Sequence, residues 1–123
     1  MDQRDPASFL PLSPAVFHIL LALAADERHG YAIMREVEQL SGGSVKMGPG
    51  TLYGSIKRMI DGGLIEESGE RPDPELDDQR RRYYRLTHLG GLVARSEADR
   101  LARLVTTARQ RRLVPIGEPE VTR

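Results

Sequence analysis

The sequence predicts a mainly α chain with a small β-hairpin wing and one long C-terminal helix. Three observations carry this reading. Three short apolar stripes of helical period lie between Ser13 and Asp61, separated by Gly- and Pro-containing breaks. Two β-compatible stretches follow the Gly62 and Gly63 pair. A heptad-like seam of small and branched residues then runs beyond Thr87. At 123 residues the chain suits one domain with a single modest core and appendages, too small for a multidomain enzyme.

Residues 1–12 carry Asp, Pro and Ser without a stable period and read as an N-terminal arm, with Phe9 and Leu10 tucked onto the domain. Ser13 is a good N-cap, and Pro14 suits the first helical position, where its missing amide costs nothing. Val16, Ile19, Leu20 and Leu23 make the buried stripe of this first helix, widened by Phe17, Leu21 and Ala24. After the ADERHG break, Tyr31 to Leu40 forms a second amphipathic helix with Ile33, Val37 and Leu40 on one face. Ser41, Gly42 and Gly43 end it.

The stretch GPGTLYGSIKRMI, Gly48 to Ile60, organises the rest. Pro49 and Gly50 stop any earlier helix, Thr51 is expected to cap a new one, and Leu52, Ile56, Met59 and Ile60 fall on one buried stripe. That spacing leaves Thr51, Tyr53, Gly54, Ser55, Lys57 and Arg58 pointing elsewhere, with Gly54 making the outer face thin. A helix with small, hydroxylated and basic residues outside is suited to entering a DNA groove. An ordinary solvated helix, its Lys and Arg serving solubility, fits the stretch alone equally well. Three such helices with a turn before the third make a helix-turn-helix.

Beyond Gly63, Leu64 to Ser68 and Arg80 to Leu86 pair as a hairpin, the wing of a winged helix-turn-helix spanning residues 13–86. The second strand carries Arg80, Arg81, Arg82 and Arg85, next to an acidic loop, and simple balancing of that loop is the alternative role for these arginines. The formal net charge is zero, but seven acids against Arg71 occupy Glu66 to Asp78, and ten arginines against Glu97 and Asp99 occupy Arg80 to Arg112. A phosphate meets the local charge rather than the total. Thr87 caps the last helix, within a dimerisation segment at residues 87–113, and Gly90 and Gly91 weaken its first turn. Ala94, Ala98, Leu101, Val105 and Ala108 recur at intervals of four and three, widened by Leu104. A helix of some 25 residues is about 37 Å long, more than a three-helix core covers, so its seam is expected to meet a second copy as well as its own first helix. Residues 114–123 form a polar tail expected to be disordered.

Other chemistries fail on their residues. With no cysteine there are no disulfides, Cys-based zinc sites or thiol catalysis. His18, His29 and His88 lie on separate elements without ligand spacing, so no metal or other cofactor is expected, and His29 helps the second helix begin. The Gly43 to Thr51 stretch resembles a phosphate-binding loop but has Pro49 where the lysine belongs. No catalytic constellation is legible, so the chain is not expected to be an enzyme. Neither a signal peptide nor a membrane span is legible, which points to the cytoplasm.

The segments LSPAVFHILLALA, ERHGYAIMREVE, GPGTLYGSIKRMIDGGLIEE and RRRYYRLTHLG together resemble the PadR family of bacterial transcriptional regulators, over Leu12 to Leu113. The most specific parts are HGY at His29 to Tyr31, GTLY at Gly50 to Tyr53 and YYRLT at Tyr83 to Thr87. The resemblance implies a homodimeric repressor whose third helix enters the major groove of double-stranded DNA at an inverted repeat. It also implies a wing on the flanking backbone and dimerisation through the C-terminal helix, single here as in the short subgroup. Some members sandwich aromatic ligands between tryptophans, and the absence of Trp argues against an effector held in that way. The alternative is a winged-helix module that binds another protein instead of DNA.

Overall fold

The computed structural model describes residues 3–72 and 80–115; the acidic loop 73–79 and the tail from 116 lie outside them. Helix α1 spans Pro14–Ala25, strand β1 Arg28–His29, helix α2 Gly30–Leu40, helix α3 Pro49–Asp61, strand β2 Ile65–Pro72, strand β3 Arg80–Leu86 and helix α4 His88–Gln110. The antiparallel sheet has the order β1-β3-β2, so the expected two-stranded hairpin gains a short third strand, Arg28 opposite Tyr84 and His29 opposite Tyr83. Two residues give too little periodicity to read as a strand.

The core is built from the stripes that the spacing predicts: Ile19, Leu20 and Leu23 of α1, Ile33 and Val37 of α2, and Leu52, Ile56 and Met59 of α3. Leu64, Ile65, Tyr84, Leu89 and Val93 close it. Leu40 departs from expectation at 48% exposed, because α2 ends there and Gly42 and Gly43, at φ +61° and +85°, turn the chain away. The hairpin also runs past Ser68 to Pro72, with a bulge between Glu67 and Gly69. Gly69 takes φ +116°, which side-chain-bearing residues avoid, and this lets the extra residue in without ending the ladder.

Two caps follow the sequence reading. Ser13 accepts a bond from the Val16 amide at the start of α1. Thr87 accepts from the Gly90 amide at 2.9 Å and donates to the Gly63 carbonyl at 2.6 Å, fastening α4 to the end of α3. The N-terminal arm includes a 3-10 turn at Pro6–Phe9 packed against α4, and Phe9, Leu10 and Leu12 lie on the core.

Glu97 holds the arm. Its carboxylate, 2% exposed on α4, accepts from the Leu12 amide at 2.8 Å and from Arg100 Nε at 2.5 Å and Nη2 at 3.1 Å. The Arg100 hydrogen bonds hold the Glu97 carboxyl below the usual carboxylate range, against burial, and the Leu12 amide adds to the lowering. A lowered folded-state pKa stabilises the fold fully above the unfolded value, and the gain is lost as pH falls through the folded one. We therefore expect thermal stability to fall as pH drops below about 4. Glu97→Gln should be less stable at neutral pH and show a flatter acid limb, as checked by melting curves across pH.

Candidate nucleic-acid interface

Helix α3 begins one turn earlier than a Thr51 cap requires. Gly48 is the N-cap, extended at φ −74° and ψ 169°, with Pro49 in the first turn and no side-chain cap. Proline drives its predecessor out of the helical region and fits the first turn itself, so the boundary falls at the Gly48 to Pro49 step. Thr51 is an exposed first-turn residue rather than a cap.

Ser55 needs the larger correction. Expected on the outer side, it is 3% exposed. Leu52, Ser55, Ile56 and Met59 stand at i, i+3, i+4 and i+7, so Ser55 shares the buried face, and residue type misleads where position decides. Its hydroxyl accepts from Arg58 Nη2 at 3.3 Å. A Cβ on Gly54 would lie 3.6 Å from Arg58 Nη1, so the guanidinium folds along the thin side of the helix. The serine thus orients the arginine from beneath, and Arg58 itself remains exposed.

Tyr53 joins two of the sequence motifs. Its ring lies over Gly30, where a Cβ would come within 2.3 Å of the hydroxyl oxygen and 2.6 Å of Cζ. The glycine of HGY is therefore the seat for the tyrosine of GTLY, and the pair sets α3 against α2. Lys57 reaches Asp61 at 3.3 Å. On the wing, Arg82 meets Glu67 at 3.3 Å and Arg85 meets Glu66 at 2.7 Å. These acids sit on β2, so Arg82 and Arg85 are paired across the ladder, while the acidic loop that the sequence offers as their counterweight lies outside the described residues. Arg81 is half-buried, its guanidinium carbon 6.0 Å from the centre of the Tyr31 ring. Arg80 opens β3 opposite Pro72, and its side chain lies outside the described residues.

Of the expected DNA-contacting residues, Tyr53, Lys57 and Arg82 border one groove of about 350 Å³, together with Asp61, Glu67 and Tyr84, whereas Thr51, Gly54, Ser55, Arg58 and Arg81 do not line it. Burial pushes the Tyr84 phenol above its usual range, so it stays neutral there. Glu27 accepts from Arg71, which holds its carboxyl low, and Arg71 in turn lies 4.2 Å from the Tyr83 ring centre.

Sequence reasoning alone does not bring Tyr31 and Arg35 beside the wing. Arg35 lies 4.9 Å over the Tyr31 ring, and Tyr31 is stacked beside His29 at 6.5 Å, so α2 adds a cation and an aromatic ring next to Arg81. The available signal is a tyrosine and an arginine one turn apart on α2. His29 does help α2 begin, its Nδ1 accepting from the Ala32 amide at 3.1 Å. Among the described residues no group of three or more His, Cys, Asp or Glu is placed to hold a metal, and no helix is long and apolar enough to cross a membrane.

The expected dimerisation residues divide along α4. Ala94 packs against the core, Ala98 is exposed, and Leu101 and Ala108 are half-buried. Leu104 and Val105 are 55% and 42% exposed. At 1.5 Å per residue, the 23 residues of α4 run about 35 Å, and its C-terminal half lies beyond the core.

The chain matches the model of the transcriptional regulator PadR-like family over residues 19–96. A protein of transposon TN4556 in Streptomyces fradiae, described as an uncharacterized 37.1 kDa protein, is 37% identical over 86 residues. The match covers 70% of this chain, which spans 22% of that protein's length. A PadR-like transcriptional regulator of Bacillus cereus superposes with a TM-score of 0.67 at 20% identity, covering 81% of this chain and 92% of the other. A PadR family transcription regulator of Clostridium difficile gives 0.64 at 23% identity, covering 80% and 97%. These two likenesses speak for the fold. The family match over more than half of the chain identifies it: this protein belongs to the PadR-like family of transcriptional regulators.

Proposed function

We propose that this protein is a homodimeric, sequence-specific DNA-binding repressor acting in the cytoplasm, with α3 in the major groove and the wing on the flanking backbone. The observation that carries the reading is that Tyr53 and Lys57 of α3 and Arg82 of β3 border one groove. A reading helix and a wing that meet at one groove, each with a cation on its rim, suit a duplex, which offers a base edge and a phosphate row side by side.

The residues divide by role. Arg58, exposed and oriented by Ser55, is the candidate for a bidentate contact to guanine O6 and N7. Tyr53, Lys57, Arg80, Arg81 and Arg82 are candidates for phosphate, Thr51 sits at the entry of α3, and Gly54 keeps the helix thin beneath Arg58. Ser55, buried, acts through Arg58 rather than on DNA. The second copy joins through Ala98, Leu101, Leu104, Val105 and Ala108, next to Ala94.

Titration of labelled duplex with wild type and Arg82→Ala, at several salt concentrations, tests this. Arg82→Ala should weaken binding to all sequences alike and reduce the salt slope by about one for each phosphate that the arginine neutralises. A changed base preference would contradict the wing assignment. A wild type that binds no duplex even at low salt would favour a protein-binding module instead.

A further inference from the structure

The cations that the proposed site turns toward DNA come with their own anions. Lys57 Nζ stands 3.3 Å from Asp61 Oδ2 and Arg82 Nη1 stands 3.3 Å from Glu67 Oε1, and all four residues border the same groove. Both pairs are open to water, at 78% and 65% exposure for the first and 56% and 50% for the second. Such exposed pairs are weak, so a phosphate can take the cation. The displaced carboxylate then stays at the rim, beside the phosphate row.

We infer that Asp61 and Glu67 are affinity-limiting residues of the DNA site: they hold Lys57 and Arg82, so a phosphate on any duplex must displace them. The inference rests on the DNA-binding reading above. Two cations matched by carboxylates release few counterions, and each displaced carboxylate is left beside the phosphates. The cost falls on every sequence alike, so it lowers affinity and the salt slope without choosing between bases. Binding then persists only where base-edge contacts by α3 make up the difference.

The test uses the full chain and its Asp61→Asn/Glu67→Gln variant, titrated against a selected operator duplex and a scrambled duplex of equal length over a salt series. Affinity for both duplexes should rise about tenfold at low salt, with a slope steeper by about two per protomer, one for each freed cation. Adding Lys57→Gln to Asp61→Asn should cancel the gain of the single variant. No gain on either duplex, or a gain confined to one of them, would overturn the inference while leaving the DNA reading standing. A wild type that binds neither duplex would overturn both. Matching melting temperatures confirm folding, and the Asp61→Asn and Glu67→Gln single variants repeat the comparison should the double variant melt early.

Discussion

Replacing Gly90 with alanine is expected to cost the fold about 2 to 4 kcal/mol, near the upper end for forcing an extra methyl into packed structure. A Cβ at this position would lie 1.9 Å from the Leu64 carbonyl oxygen and 2.9 Å from its carbon, both backbone atoms that cannot swing away. The same residue is anchored by the Gly90 amide to Thr87, so α4 cannot back off without losing its cap. Alanine favours helix by about 1 kcal/mol over glycine, and the clash outweighs that gain. Its neighbour supplies the control. A Cβ on Gly91 meets nothing within 4 Å, so Gly91→Ala should stabilise by about 0.5 to 1 kcal/mol. Denaturant unfolding of the two variants checks the opposite signs, and equal effects would refute the close approach of α4 to Leu64.

The other large effect concerns the second copy. Leu101→Asp places a carboxylate within the proposed apolar seam, where an unpaired buried charge costs several kcal/mol. Leu101 is half-buried in the single chain, so part of any effect there reflects folding. Val105→Asp separates the two, since Val105 is 42% exposed before any partner is added. Both variants should sediment as monomers at micromolar concentration, with duplex affinity reduced more than a hundredfold through loss of the second half-site, a change of about 2.7 kcal/mol or more. Variants that stay dimeric would remove α4 as the main interface.

The helices are legible in the sequence because each carries a stripe that only one period satisfies. Ile19, Leu20 and Leu23, Ile33 with Val37, and Leu52, Ile56 and Met59 are buried as their spacing requires. What is not legible depends on partners distant in the chain. Strand β1 is defined only by its pairing with Tyr83 and Tyr84, and Gly90 reads as a helix weakness until Leu64 is beside it. Gly30 likewise gains its meaning from Tyr53. The site shows the same division. Arg58 and Lys57 stand on the outer side as their spacing predicts, whereas polarity alone would put Ser55 there although its i+3 spacing from Leu52 turns it inside. The ion pairs of Lys57 and Arg82 are of both kinds: Asp61 lies one turn beyond Lys57 on α3, but Glu67 meets Arg82 only through the register of the hairpin.

The central claim, a twofold pair of α3 helices reading one face of a duplex, is tested most directly by selecting bound sites from random DNA with the wild type and with Arg58→Ala. The wild type should select inverted repeats with half-site centres about 10 bp, or a small multiple of one turn, apart. Arg58→Ala should lose preference at one symmetric pair of positions, by about 1 to 3 kcal/mol of discrimination. Uniform weakening would make Arg58 a phosphate clamp instead. Wild-type sites with no dyad symmetry would contradict the dimeric reading of DNA itself.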